Sequence, residues 1–149
     1  MNLKFRDARA RDLPAIVAML ADDSLGKSRE RPESPEIYSL AFGRMEGDVN
    51  NRVIVAEKDG RIVGCYQMTF IQSLSRAGAR RALVEGVRTS TNMRSQGVGE
   101  AMMRHAIGEA RAAGCVLLQL TSDKSRKRAH DFYVKLGFAQ SHEGFKLDL

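Results

Sequence analysis

Asn92–Ala106 reads NMRSQGVGEAMMRHA, and Gly97 and Gly99 stand in it where a helix is about to begin. Each costs a helix interior ~1 kcal/mol relative to alanine, so the pair marks either a plain turn or a close approach to the backbone. After it, Val98, Met102, Ala106 and Ala110, with Met103 and Ile107, recur at helical spacing, and Gly114 closes the pattern. Before it, RALVEGVRTS (81–90) reads as a strand. The glycines therefore sit at a strand-to-helix junction, where unpartnered first-turn amides and the positive end of the helix dipole favour anions. Two familiar phosphate loops do not fit. A Walker A loop needs Lys-Ser or Lys-Thr where Glu100 and Ala101 stand, and a dinucleotide fingerprint needs glycine where Met102 stands.

Working outward, LKFRDA (3–8) alternates like a strand near an edge, and DLPAIVAMLAD (12–22) predicts a short amphipathic helix with Asp12 as its N-cap and Pro14 in its first turn. DDSLGKSRERPES (22–34) is polar and unperiodic. SPEIYSLAFGRME (34–46) predicts a second helix that buries Ile37, Leu40 and Phe42. RVIVAEKDGRIVGCYQMTFI (52–71) is two strands joined at Asp59-Gly60, a strong hairpin signal. With RALVEGVRTS, after a turn near Arg76–Arg80, they form an antiparallel meander. CVLLQLTS (115–122) reads as a central strand buried on both faces. RKRAHDFYVKLG (126–137) predicts a helix with Ala129, Phe132, Tyr133 and Leu136 on one face, and FAQSHEGFKLDL (138–149) a closing hairpin around Glu143-Gly144. The expected fold is mixed α/β: a mostly antiparallel sheet with strands 4 and 5 parallel, flanked by helices, in a single domain over 1–149.

Composition narrows the partners. Twenty-four Lys and Arg against 18 Asp and Glu give a net charge of +6, which favours an anionic partner without naming it. Cys65 and Cys115 lie apart in apolar runs, and His105, His130 and His142 form no ligand cluster with them, so two buried free thiols and no metal are expected. The N-terminal MNLKFRDARARDL carries no long apolar segment, which predicts a cytoplasmic protein without a membrane span. The basic run Lys124–Arg128 lacks interleaved aromatics, which argues against nucleic acid.

RSQGVG (94–99) has the Arg/Gln-x-x-Gly-x-Gly/Ala form of the Gcn5-related N-acetyltransferases, and AHDFYVKLGF (129–138) resembles that family's second signature in its Phe-Tyr and Leu-Gly-Phe. The inferred element order is similar to the family's over nearly the whole chain. The resemblance implies acetyl transfer from acetyl-CoA to a primary amine, of a small molecule or a protein, by direct attack. It also implies roles. Val87, Arg88 and Thr89 would pair with the pantetheine arm; Arg94, Ser95, Gln96, Gly97, Val98 and Gly99 would hold the pyrophosphate; Phe132 belongs with the cofactor side of the last helix. Tyr133 would protonate the departing thiolate, and Glu85 would take a proton from the amine. Many members carry Asn where Arg126 stands; an arginine there would reach cofactor phosphate or pantetheine oxygen atoms in place of the amide contact. Homodimers are common among similar proteins.

The residues alone leave blander alternatives open. Tyr133 would pass for a core aromatic, and Glu85, sharing a strand face with Leu83 and Val87, for a solvated strand residue. His105 and His130 read as exposed or packing residues. The alternative at the level of function is a non-catalytic acyl-CoA-binding or sensor module of the same fold.

Overall fold

Runs of alternating apolar residues between Lys4 and Gln119 build one five-stranded sheet in the order β1-β2-β3-β4-β5. The strands are β1 (Lys4–Asp7), β2 (Asn51–Lys58), β3 (Arg61–Gln72), β4 (Arg80–Thr89) and β5 (Leu117–Gln119). This computed structural model describes all residues, 1–149, in two compact units, Met1–Gln119 and Leu120–Leu149. The first four strands pair antiparallel, and β4 and β5 pair parallel over Arg81–Leu83 and Leu117–Gln119, as the sequence predicts. Asp59 and Gly60 both take positive φ (50° and 75°), the requirement of the tight turn expected there.

The two faces of the sheet are closed by different helices. On one, α5 (Val98–Ala112) packs Met102 and Met103 against β3 and β4. Met102 comes so close to Gly64 that a Cβ there would lie 2.7 Å from its sulfur. On the other, α1 (Leu13–Ala21) buries Ile16 and Met19 against Val55 and Cys65. Burial pushes the Cys65 thiol up to about 12, so it stays protonated; Cys115 is only half-buried. Asp12 precedes α1 but does not cap it. Its carboxylate, 5% exposed, instead accepts from Arg6 Nη1 and Nη2 (2.7 and 3.1 Å) and from the Arg9 amide (2.8 Å). That pairing holds the Asp12 carboxyl below its usual range, through the Arg6 hydrogen bonds first.

Three further expectations need correction. The polar stretch after α1 contains a helical turn, α2 (Gly26–Arg29), whose buried Gly26 leaves no room for a Cβ against the Leu20 carbonyl. The helix α3 (Pro35–Met45) forms as predicted yet buries nothing; Leu40 is 65% exposed. The run at 115–122 supplies only three strand residues, half-buried at the sheet's edge, because β4 alone pairs with them. A single turn, α4 (Ser75–Gly78), with Arg76 and Ala77 left-handed, joins β3 to β4 where a turn was expected.

The second unit contains α6 (Lys127–Lys135) and a tail without regular structure. The closing hairpin is absent. Phe145, Leu147 and Leu149 keep a strand's alternation but remain exposed, since period without a hydrogen-bonding partner makes no strand.

A polar network ties β1, β2 and β3 to α5. Tyr66 and His105 share a hydrogen bond (2.8 Å), Phe5 stacks on His105 with centroids 4.3 Å apart, and Arg52 bridges Asp7 (2.9 Å) and Glu109 (2.6 Å). Burial lowers the His105 pKa from its ordinary value, partly offset by Glu109. The unfolded chain therefore binds a proton just below pH ~6.5 that the folded one refuses, and stability falls as pH drops through that window. In urea titrations across this range, His105→Gln is expected to show a flatter pH dependence than the parent protein; equal slopes would mean His105 carries no proton linkage.

Candidate active site

The site grows from one irregularity in β4. Gly86 takes φ +60°, and the register against β3 slips there: Gln67 faces Glu85, whereas Cys65 faces Arg88. A bulge of this kind inserts one residue and reverses the alternation beyond it. Glu85 therefore shares the α1 side of the sheet with Leu83, as the sequence suggests, but not with Val87. Beyond the bulge Arg88 takes that side, opposite Cys65, and Val87 falls in register with Thr89, which faces Gly64. Plain period-2 counting misassigns Val87 because it passes through Gly86 without slipping.

On the α1 side Arg88 meets a carboxylate. Its Nε lies 3.0 Å from Asp23 Oδ2, and the other oxygen of Asp23 accepts from the Gly26 amide, which fixes the start of α2. Next door, Asp22 accepts from the Thr91 hydroxyl, and Arg94 Nη2 donates to the Asp22 carbonyl (2.9 Å) and approaches its carboxylate (3.4 Å). Asp22 and Asp23 thus bind the link after α1 to Arg88 and Arg94. These pairings span 65 or more residues, and no local signal in the sequence reports them. Gly86 and Gly26 were missed too, although a glycine inside a strand is itself a bulge signal.

From Thr89 the chain runs through a single 3-10 turn (Thr91–Met93) into the glycine loop. Ser95 and Gly97 both adopt left-handed backbone (φ 61° and 86°), which turns the chain sharply into α5. Backbones of this sort gather N–H groups into anion-binding concavities. The first intrahelical bond runs from the Ala101 amide to the Gly97 carbonyl (3.0 Å), so the amides of Val98, Gly99 and Glu100 precede it. Gln96 steadies the loop by donating to the Asn92 carbonyl (2.8 Å). Glu100, an acid beside this donor set, is paired with Arg104 (2.7 Å). Loop, Arg94 and the β4 residues Glu85 to Thr89 all belong to the first unit. Beyond Leu83, β4 has no partner on β5, leaving one edge of that segment open.

The other expected residues lie together in the second unit. Arg126 occupies the N-cap position of α6, Phe132 and Tyr133 stack edge to face with centroids 5.2 Å apart, and Phe138 meets Tyr133 at 5.8 Å. The ring of Tyr133 is thus held by aromatic packing on two sides, which accounts for its place on the apolar face of the helix. His105 is occupied by Tyr66 and Phe5, and His130 Nε2 bonds the Asp123 carbonyl (2.8 Å). No group of three or more His, Cys, Asp or Glu side chains is arranged to hold a metal ion, and no helix is long and apolar enough to cross a membrane.

The sheet with its bulged fourth strand, followed by the glycine loop and α5, defines an acetyltransferase class. The acetyltransferase (GNAT) family model matches residues 14–138, and the chain belongs to that family. It is 33% identical over 98 residues to an aminoalkylphosphonate N-acetyltransferase of Salmonella typhimurium, a match over 66% of this chain and 63% of that protein, less than two thirds of the relative's length. A transcriptional regulator from Bacillus halodurans C-125 is 45% identical with a TM-score of 0.95, over 99% of this chain and all of that one. A candidate acetyltransferase from Agrobacterium tumefaciens C58 is 25% identical with a TM-score of 0.87, over 98% and 99% of the two chains.

The bulge is testable by itself. A Cβ at Gly86 would meet only Leu20 Cδ2 at 3.7 Å, so space is available and the cost of a side chain lies in the backbone. Gly86→Ala is expected to lower stability by about 1–2 kcal/mol, the penalty for left-handed backbone in an L-residue, measured by denaturant unfolding. An unchanged midpoint would place the bulge elsewhere.

Proposed function

We propose that this chain is an acetyl-CoA-dependent N-acetyltransferase acting on a primary amine by direct attack, as one domain over 1–149. The observation that carries the reading is the donor set at the start of α5, with its left-handed Ser95 and Gly97 and the adjacent Arg94. These residues suit a diphosphate: the backbone is free of side-chain bulk at Gly97 and Gly99, the dipole is positive, and Glu100 is neutralised by Arg104. Val87, Arg88 and Thr89 offer the open β4 edge to an extended amide-bearing arm, and Arg126 adds a cation in the second unit. The bound thioester supplies an activated acyl carbon and a stable thiolate leaving group.

The chain's own work is then positioning and proton handling. Backbone amides of β4 around Val87 orient the acyl oxygen and support charge that develops on it. Glu85, exposed at the bulge, takes the proton that the amine loses, directly or through water. Tyr133 returns a proton to sulfur. Likeness to a protein described as a transcriptional regulator favours one second reading, a sensor that binds acyl-CoA without turnover. Thiol release with a panel of amines separates the two.

Two expected outcomes follow. Gly97→Glu, which puts bulk and negative charge into the loop, weakens coenzyme A binding by roughly tenfold or more, read by calorimetry on protein shown to be folded; unchanged affinity would remove the anion from this loop. Tyr133→Phe and Glu85→Gln keep near-normal coenzyme A affinity and each lose turnover, by about 10²-fold for a proton-transfer role. The Glu85→Gln loss shrinks as rising pH deprotonates the amine unaided. Full turnover in either variant returns that residue to packing or to the solvated surface.

A further inference from the structure

The α1 side of the sheet changes character along its length. Under α1 it is apolar and buried, at Val55 and Cys65. Farther on, the residues on the same side are Val53, Gln67 and Leu83, then Asn51 and Thr69, all half-buried, with Glu85 exposed. α1 covers this stretch only in part, its core packing reaching Val53 and its Leu20 lying beside Gly86, and α3 buries no residue over it. A row of polar side chains therefore crosses three strands: Glu85 on β4 stands opposite Gln67 on β3, and Gln67 Nε2 donates to Asn51 Oδ1 on β2 (2.9 Å). At its β2 end the row opens into a cavity of about 440 Å³. Phe42, Met45 and Val53 give this cavity an apolar floor, and Glu46 and Asp48 are exposed on its rim. Arg52 also borders it, but its guanidinium is held by Asp7 and Glu109, toward α5. The rim thus presents acids to solvent, on a protein whose net charge is +6.

We propose that this cavity is a second acceptor subsite that takes the remote cationic end of an oligoamine, whose reacting amine lies at Glu85. The inference rests on the acetyltransferase reading and names its substrate class. Charge complementarity selects the occupant: a carboxylate stands at one end of the row, two acids at the other, and amide groups with apolar side chains lie between. Asn51 lies two strands across and two residues along from Glu85, roughly 12 Å between backbones. A diamine with an alkyl chain of that reach spans the row with both cations against acids and its methylenes over Val53 and Met45. A monoamine satisfies only one end. An acceptor bearing an anion meets Glu46 and Asp48 with the wrong sign.

The test compares 1,8-diaminooctane, octylamine and an aminoalkylphosphonate, first by calorimetric binding and separately by thiol release from acetyl-CoA. The diamine is expected to bind about fivefold tighter than octylamine, the worth of one partly exposed ion pair. In the double variant Glu46→Gln, Asp48→Asn that ratio falls to about one; Asn keeps the carbonyl oxygen that accepts from the Asn50 amide, so the turn survives. Equal binding of the two amines, a ratio unmoved by the double variant, or tighter binding of the phosphonate overturns the proposal. Absence of thiol release with every amine counts against the transferase reading instead, while the binding ratio still decides the subsite.

Discussion

The bulge at Gly86 is the constraint on which the rest of this structure depends. Strand alternation is rigid: once β4 is in register with β3, every side chain has an assigned face. Left-handed backbone at Gly86 inserts one residue and reverses that assignment, so Glu85 and Arg88, three apart, both reach the α1 side. Arg88 can then meet Asp23, and Asp23 can anchor the Gly26 amide at the start of α2. Without the bulge Arg88 would face α5, among Met102 and Met103, where a guanidinium has no partner and a high desolvation cost.

The two sides of the sheet divide the labour. Toward α5 the packing is dense, and its polar groups are matched: Tyr66 with His105, Arg52 with both Asp7 and Glu109. That side holds β4 and the glycine loop rigidly in place. Toward α1 the cover is partial, and the residues left half-open are polar. Polar side chains on that face are the basis of the acceptor subsite proposed above. The ion pairs of Asp22 and Asp23 join the two regions, because they connect the link after α1 to Arg88 on β4 and to Arg94 at the start of the glycine loop. A ligand arriving at one therefore meets a backbone already tied to the other.

Much of this was legible in the sequence, for local reasons. Positive φ at Asp59-Gly60 and at Gly97, the helical stripe of α5, the order of the first five strands and the parallel β4–β5 pair all follow from short-range patterns that tertiary context did not override. The glycine loop and the Phe-Tyr helix, read together, were enough to indicate the acetyltransferase family. Failures came where a local pattern needed a distant partner. The tail alternates correctly yet forms no strand, α3 has an apolar stripe yet buries no residue fully, and the 115–122 run is apolar enough for a central strand yet lies at an edge.

What the sequence determined by itself is therefore most of the elements and the turn of the glycine loop into α5, since dihedral preference, period and capping act within a few residues. Tertiary structure alone decided which face Val87 and Arg88 occupy, which acids meet Arg88 and Arg94, and where the α1 side remains open. Each of these depends on chain segments tens of residues apart in sequence that only packing brings together. Asp22 and Arg94 show the difference most plainly: each is an ordinary surface charge in the sequence, and 72 residues later in the chain a fold is needed to make them a pair.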